Sequence, residues 1–84
     1  MKFKKLVLTG AAGRLGSYLR EPLAAMCEEL VSSDIAEDIG KLYDGERYQK
    51  ADLAEYDQVA ALMEGADMVV HFGAIVDEKP FMEL

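Results

Sequence analysis

The stretch Leu6-Val7-Leu8-Thr9-Gly10-Ala11-Ala12-Gly13-Arg14-Leu15-Gly16 decides how this chain folds. It runs from an apolar triplet, through three evenly spaced glycines, into a helical pattern. A helix that starts directly behind a strand presents unpaired backbone N–H groups and a partial positive charge, and a phosphate can use both. Glycines let the backbone turn sharply and let a pyrophosphate approach closely. The order strand, glycine turn, helix therefore predicts the opening of a βαβ unit that cradles a dinucleotide. A P-loop is the other phosphate cradle of this outline. It requires a Lys-Ser/Thr pair behind the last glycine, and here Gly16-Ser17 follows Leu15 with no lysine.

Working outward, Phe3 to Thr9 reads as strand one, with the continuous apolar centre of a parallel strand buried on both faces. Gly13 to Glu29 reads as a helix with Leu15, Leu19, Leu23 and Met26 at helical spacing and Tyr18 and Cys27 beside them. Pro22 is too deep for a first turn and predicts a kink, or an end to the first segment near Arg20. Leu30 to Asp34 reads as strand two, followed by an acidic connection over 35–46 with a turn at Asp44-Gly45. Arg47 to Lys50 is a weak third strand. Tyr56 to Glu64 is a helix with Val59, Leu62 and Met63 inward and Gly65 as its stop. Met68 to Phe72 is strand four. The alternation of strands and helices predicts an α/β, Rossmann-type parallel sheet with right-handed crossovers and strand order 3-2-1-4. Its ligand crevice lies at the switch point between strands one and four.

Composition narrows the partners. The chain has 84 residues, a net charge of −7 and a single cysteine. The negative balance disfavours nucleic acid and anionic membranes. One cysteine excludes an intrachain disulfide framework and fits a reducing compartment, so the chain reads as cytoplasmic. The basic start, Met1-Lys2-Phe3-Lys4-Lys5, is followed by too short an apolar run for a signal segment, and no run approaches a membrane span.

Asp34 ends strand two, where a carboxylate accepts hydrogen bonds from the adenosine ribose hydroxyls and repels a 2′-phosphate. No Lys or Arg lies between Arg20 and Lys41, so the pattern favours NAD over NADP. The bland reading of Asp34 is a solvated loop acid. Arg14 is either a neighbour of the pyrophosphate or a surface arginine. His71 could act as an acid or base, but a lone histidine at a strand end is more often a packed, hydrogen-bonded residue. Cys27 reads as a packed helix residue, and the acids at 28–29, 34, 37–38, 44 and 46 as a solvated rim.

The T-G-x-x-G-x-x-G form of residues 9–16 resembles the short-chain dehydrogenase/reductase superfamily, its extended (epimerase/dehydratase) branch in particular. That resemblance gives further residues a place. Asp52-Leu53 is similar to the family's adenine clamp, in which the carboxylate takes the amino group and the apolar side chain covers the ring; a helix N-cap at Asp52 is the alternative. His71-Phe72-Gly73-Ala74 matches the short Gly/Ala segment that passes beneath the cofactor. The implied cofactor-binding set is Gly10, Gly13, Arg14, Leu15, Gly16, Asp34, Asp52, Leu53, Gly73 and Ala74.

Val70 to Ile75 followed by Glu78-Lys79-Pro80-Phe81 resembles the uronate dehydrogenases, which carry an H-L-G-G-I-S-V-E-K-P-F-like segment here and oxidise a sugar acid with NAD. Ile75 and Val76 would border the sugar pocket. The chain departs from the pattern at Ala74, Val76 and Asp77, which bear on the sugar more than on NAD.

Short-chain dehydrogenases act through Tyr-x-x-x-Lys, whose tyrosine exchanges the proton. None of Tyr18, Tyr43, Tyr48 and Tyr56 has a lysine four residues on. Residues 1–84 thus read as the N-terminal portion of an NAD(P)-binding Rossmann domain from an NAD-dependent, uronate-like dehydrogenase, inactive alone. A non-catalytic dinucleotide-binding module acting through protein contacts, or an inert truncated product, are the alternatives. Strand four is apolar without an internal charge, so the chain is expected to form a homodimer through that edge, unless residues 75–84 fold back over it.

Overall fold

Apolar residues at consecutive strand positions point to opposite faces, so both faces of the sheet need cover. The computed structural model, which describes residues 2–72, meets that need with six elements: β1 (Phe3–Thr9), α1 (Arg14–Ala24), β2 (Cys27–Ser33), β3 (Glu46–Tyr48), α2 (Tyr56–Met63) and β4 (Met68–His71). The strands form one parallel sheet in the order β3-β2-β1-β4. Leu6 pairs in register with Leu30 on one side and Met68 on the other. Leu6, Leu8 and Leu30 pack with Leu23 of α1 on one face. Val7 and Val31 pack with Ala51 and with Leu62 of α2 on the opposite face. The expected α/β, Rossmann-type sheet and its strand order are those observed.

The first helix differs from expectation in length and in the face it buries. It ends at Ala24, and β2 already begins at Cys27, paired with Phe3 of β1. Helical spacing carries on through Met26 and Cys27, but pairing with β1 takes these residues into a turn and a strand. Tertiary pairing overrides a local pattern here. Pro22 neither splits the helix nor ends it at Arg20. It sits in the last turn, where the intrahelical bond it forfeits is followed two residues later by the helix end. The buried face of α1 is Gly16, Arg20 and Leu23, with Leu19 partly buried, whereas Leu15 is 62% and Tyr18 75% exposed. A Cβ built on Gly16 would lie 2.1 Å from the Gly10 carbonyl oxygen. The helix is thus pressed against the glycine turn on the one side that lacks a side chain, and that contact sets its rotation.

Arg20 is carried inward by the same rotation. Its guanidinium donates from Nε to Glu46 Oε2 at 2.7 Å and from Nη2 to Glu46 Oε1 at 3.0 Å. It also donates to the carbonyls of Ile39 and Lys41 and lies 5.2 Å from the Tyr43 ring centroid. The Ser32 hydroxyl and the Tyr43 N–H complete the cage around Glu46. Glu46 is therefore not part of a solvated rim: its side chain is fully buried, at the first residue of β3. The network gathers the 35–45 connection, which holds no helix, onto the sheet. Gly45, at φ 81°, makes the turn into β3.

Burial pushes the Glu46 carboxyl up, but hydrogen bonds from Arg20, Ser32 and the Tyr43 backbone outweigh it and hold the group below the usual carboxylate range. Its hydrogen bond to Glu46 raises the Arg20 guanidinium in turn. A carboxyl whose folded pKa is depressed contributes stability that is complete above its unfolded value, near 4.3. That contribution is lost as pH falls through the depressed folded value. Replacing Arg20 by Leu leaves a buried carboxylate uncompensated and is expected to destabilise the chain by about 3 kcal/mol at neutral pH. The deficit should shrink at low pH, where the carboxyl is neutral in both variants. Urea unfolding at two pH values reads both, and a neutral-pH loss below about 0.5 kcal/mol would remove the pair from the fold's support.

Candidate functional site

The carboxy ends of β1, β2 and β4 and the segment after β3 enclose a cleft of about 400 Å³. Thr9, Gly10 and Gly13 form one wall, Ser33, Asp34 and Ile35 a second, and residues 51–54 a third, with Phe72 at the β4 side. The cleft lies beside the point where the strand order reverses, the position at which open α/β sheets place ligands.

The glycine wall is built by backbone. Gly10 adopts φ 74°, a left-handed conformation that a side chain would disfavour. Its carbonyl accepts the Gly13 N–H at 3.0 Å, which closes the turn. Gly13 is the N-cap of α1 in extended conformation, and it supplies no side-chain hydrogen bond to the first turn. The helix also has no acidic residue there. An N-terminus without a side-chain cap or an acidic first turn leaves first-turn N–H groups available to a ligand at the positive end of the helix dipole.

Asp34 performs a task its position in the sequence does not announce. Oδ2 accepts the Ala12 N–H at 2.9 Å, and Oδ1 accepts the Ile35 N–H at 2.7 Å. The carboxylate thereby clamps the glycine turn to the end of β2. Each oxygen keeps acceptor capacity for a further donor. The Asp34 carbonyl accepts from the Tyr48 hydroxyl at 2.9 Å and from the Ala51 N–H at 3.0 Å. Burial, then the carboxylates of Asp34, Glu37 and Asp38, push the Tyr48 phenol up, so it remains a donor at neutral pH.

Asp52 is not a helix N-cap. Glu55 holds that position, and Asp52 Oδ1 accepts the Ala54 N–H at 2.9 Å within the turn that presents Leu53 to the cleft. His71, opposite Thr9 in register, has its Nδ1 2.8 Å from Thr9 Oγ1. It is hydrogen-bonded as a packed histidine would be, yet its surface is exposed among the described residues.

Gly10, Gly13, Asp34, Asp52 and Leu53 are thus brought around one cleft. Gly16 lies behind it, in contact with the glycine turn, and Arg14 and Leu15 are exposed at the helix start. Gly73, Ala74, Ile75 and Val76 lie outside the described residues. Sequence reasoning missed Ser33, Ile35, Ala51 and Ala54 as lining residues, and had Phe72 only within the segment beneath the cofactor. Ser33 carried a usable signal, a polar residue at a buried position of a two-sided strand.

The residues present fit the adenosine diphosphate half of a dinucleotide. They offer backbone donors at a helix start, a carboxylate with free lone pairs, and the apolar surfaces of Ile35 and Leu53. One further group is a buried hydroxyl, Ser33 Oγ, that has no hydrogen-bond partner among the described residues. Fold and site together define a Rossmann-type unit with a cleft that suits a nucleotide.

The chain belongs to the NAD dependent epimerase/dehydratase family, whose model matches residues 6–81. It is 48% identical over 82 residues to the uronate dehydrogenase of Pseudomonas syringae pv. tomato, covering 98% of this chain and 30% of the relative. It is 41% identical over 81 residues to that of Agrobacterium fabrum, covering 96% and 30%. The chain thus spans about a third of the length of the curated relatives it matches.

Among solved structures, a variant uronate dehydrogenase from Agrobacterium tumefaciens complexed with NAD superposes with a TM-score of 0.79 at 42% identity, over 94% of this chain and 29% of that one. A glucuronic acid dehydrogenase from Chromohalobacter salexigens gives 0.81 at 35% identity, over 93% and 29%.

The contact at Gly16 yields a sharp test. Gly16→Ala would drive a methyl into the Gly10 backbone, which no side-chain motion relieves. It should destabilise by about 2 kcal/mol or more. Leu15→Ala, at an exposed neighbour, should stay within about 0.5 kcal/mol. Thermal unfolding of the two variants compares them, and equal losses would contradict the packing described.

Proposed function

We propose that this chain is the NAD-binding, N-terminal portion of an NAD-dependent dehydrogenase of the short-chain type that acts on a sugar acid of the uronate class. The single observation that carries the reading is the cleft, in which an uncapped helix start behind the glycine turn faces the Asp34 carboxylate. Gly10, Gly13 and Gly16, with Arg14 and Leu15 at the helix start, would hold the pyrophosphate. Asp34 would accept from the ribose hydroxyls while keeping its bond to Ala12. Asp52 and Leu53 would take the adenine, and Gly73 and Ala74 would pass beneath the cofactor. NAD supplies a hydride acceptor when bound. Similarity to the uronate dehydrogenases supports the substrate class, with Ile75 and Val76 at the sugar pocket.

NAD is favoured over NADP because Asp34 would face a 2′-phosphate with like charge. The nearest basic residue after β3, Lys50, is engaged by Glu37 at 2.6 Å. Among the described residues no helix is long and apolar enough to cross a membrane. We place the protein in the cytoplasm, consistent with its single, buried cysteine. Neither nucleic acid nor membrane is a proposed partner.

Calorimetry on the 84-residue chain should show NAD binding, with NADP weaker by about ten-fold, the equivalent of about 1.4 kcal/mol. No NADH should form from glucuronate or galacturonate, since the chain has no Tyr-x-x-x-Lys pair to move the proton. Equal or tighter NADP binding would remove the role given to Asp34, and turnover by the chain would overturn the proposed division of labour.

Self-association is proposed through the side of β4 that faces away from β1. Among the described residues β4 pairs only with β1, and Met68 and Val69 are about two-fifths exposed. Two copies joined along this edge about a two-fold axis would pair its backbone groups and cover apolar surface. Sedimentation over a concentration series should show a homodimer. A monomer at every concentration would show that the edge is satisfied within one chain.

A further inference from the structure

We propose that Ser33 is a ligand-binding residue whose hydroxyl hydrogen-bonds the adenosine moiety of the nucleotide, a contact that rests on the dinucleotide reading of the cleft and adds a residue to it. Ser32 and Ser33 end β2, and both are fully buried. Ser32 points to the α1 face and donates to Glu46, so its hydroxyl belongs to the fold. Ser33 lies on the opposite face of β2, the face of Val31, and shares the cleft lining with Ala51, where an alanine would suffice for packing. Among the described residues its Oγ has no hydrogen-bond partner. A buried hydroxyl without a partner weakens a folded state, so such a group calls for an explanation beyond packing.

The surroundings supply one. Ser33 stands in register with Thr9, and Thr9 with His71, so three polar side chains form a row across the carboxy ends of β2, β1 and β4. Thr9 and His71 bond to each other at 2.8 Å, while the hydroxyl of Ser33 remains outside that pair. Ser33 also lines the cleft, between the glycine wall and Ala51-Asp52, and immediately precedes Asp34. A serine χ1 step moves Oγ between staggered positions without moving the backbone. The hydroxyl can therefore turn to a ligand on the cleft floor. It can donate to an acceptor nitrogen of a purine or exchange a hydrogen bond with a ribose hydroxyl. A pyrophosphate at the helix start lies at the other wall and would not meet it.

The test uses the full 84-residue chain, AMP and inorganic pyrophosphate as probes, and Ser33→Ala as the variant. Ser33→Ala should weaken AMP by about five-fold, the loss of one neutral hydrogen bond. Pyrophosphate binding should be unchanged. The free variant should unfold at the same urea concentration as the parent or a higher one, because the group removed has no partner in the fold. AMP binding by Ser33→Ala equal to the parent's would overturn the contact alone. So would a parallel loss for pyrophosphate or a lower urea midpoint, either of which marks general damage. Failure of the parent chain to bind AMP would overturn the dinucleotide reading and the contact with it.

Discussion

The absence of a side chain at Gly16 is the constraint on which the rest of this structure depends. It allows α1 to touch the Gly10 carbonyl, and a Cβ there would fall 2.1 Å from that oxygen. One contact has two consequences. It holds the helix start directly over the turn that follows β1, where backbone donors can face a phosphate. It also fixes the rotation of the helix, so that positions 16, 20 and 23 face the sheet and positions 15 and 18 face solvent. A helix rotated to bury its leucine stripe would have packed Leu15 inward and lost the cradle. On the proposed reading, binding and packing compete for the first turn of α1, and the glycine settles the competition for the cradle.

Rotation of α1 also explains why an arginine lies in the interior. Arg20 follows Gly16 by one helical turn and must face the sheet with it. An unpaired guanidinium there would be strongly unfavourable. Glu46 meets it with both oxygens, and the carbonyls of Ile39 and Lys41 take further N–H groups. A buried pair of this kind is not in itself a source of large stability, since desolvation offsets attraction. Its contribution is specific. It ties α1 to the long connection between β2 and β3, which lacks regular structure of its own, and so delivers β3 to its place at the sheet edge.

Much of this fold was legible because parallel strands buried on two faces read as continuous apolar runs. Phe3–Thr9 coincides with its expected bounds, and the third and fourth strands and second helix differ from theirs by a residue or two. The end of α1 was not legible, because Met26 and Cys27 continue a helical spacing and only the partner strand, with Phe3 opposite Cys27, decides against it. Glu46 was not legible either. It ends an acidic run in the chain, and its partner Arg20 lies in a different element, so no local pattern announces its burial. The glycine turn, Asp34, Asp52 and Leu53 could be picked out from the chain by spacing and resemblance. The hydrogen bond from Ala12 to Asp34 could not, since it depends on how far the turn reaches over β2.

That last bond bears on how a single carboxylate can serve two ends. A side chain held only by a ligand must be ordered when the ligand arrives, and binding then bears that entropy. Asp34 is already fixed through Ala12 and Ile35, one backbone donor on each oxygen, so its direction is set before any hydroxyl approaches. The bond to Ala12 also fastens the glycine turn, beside the Ala11 N–H that donates to the Ser33 carbonyl at 3.0 Å, since the turn's own residues have no polar side chains with which to hold it. The clamp therefore arranges both walls of the cleft at once, the backbone donors on one side and the acceptor on the other. Shortening or neutralising this side chain would act twice, removing an acceptor and releasing the turn. On the proposed reading, a loss of nucleotide affinity on substituting Asp34 would be the sum of a direct contact and a lost preorganisation. Only a probe that touches the turn alone, such as pyrophosphate, separates the two.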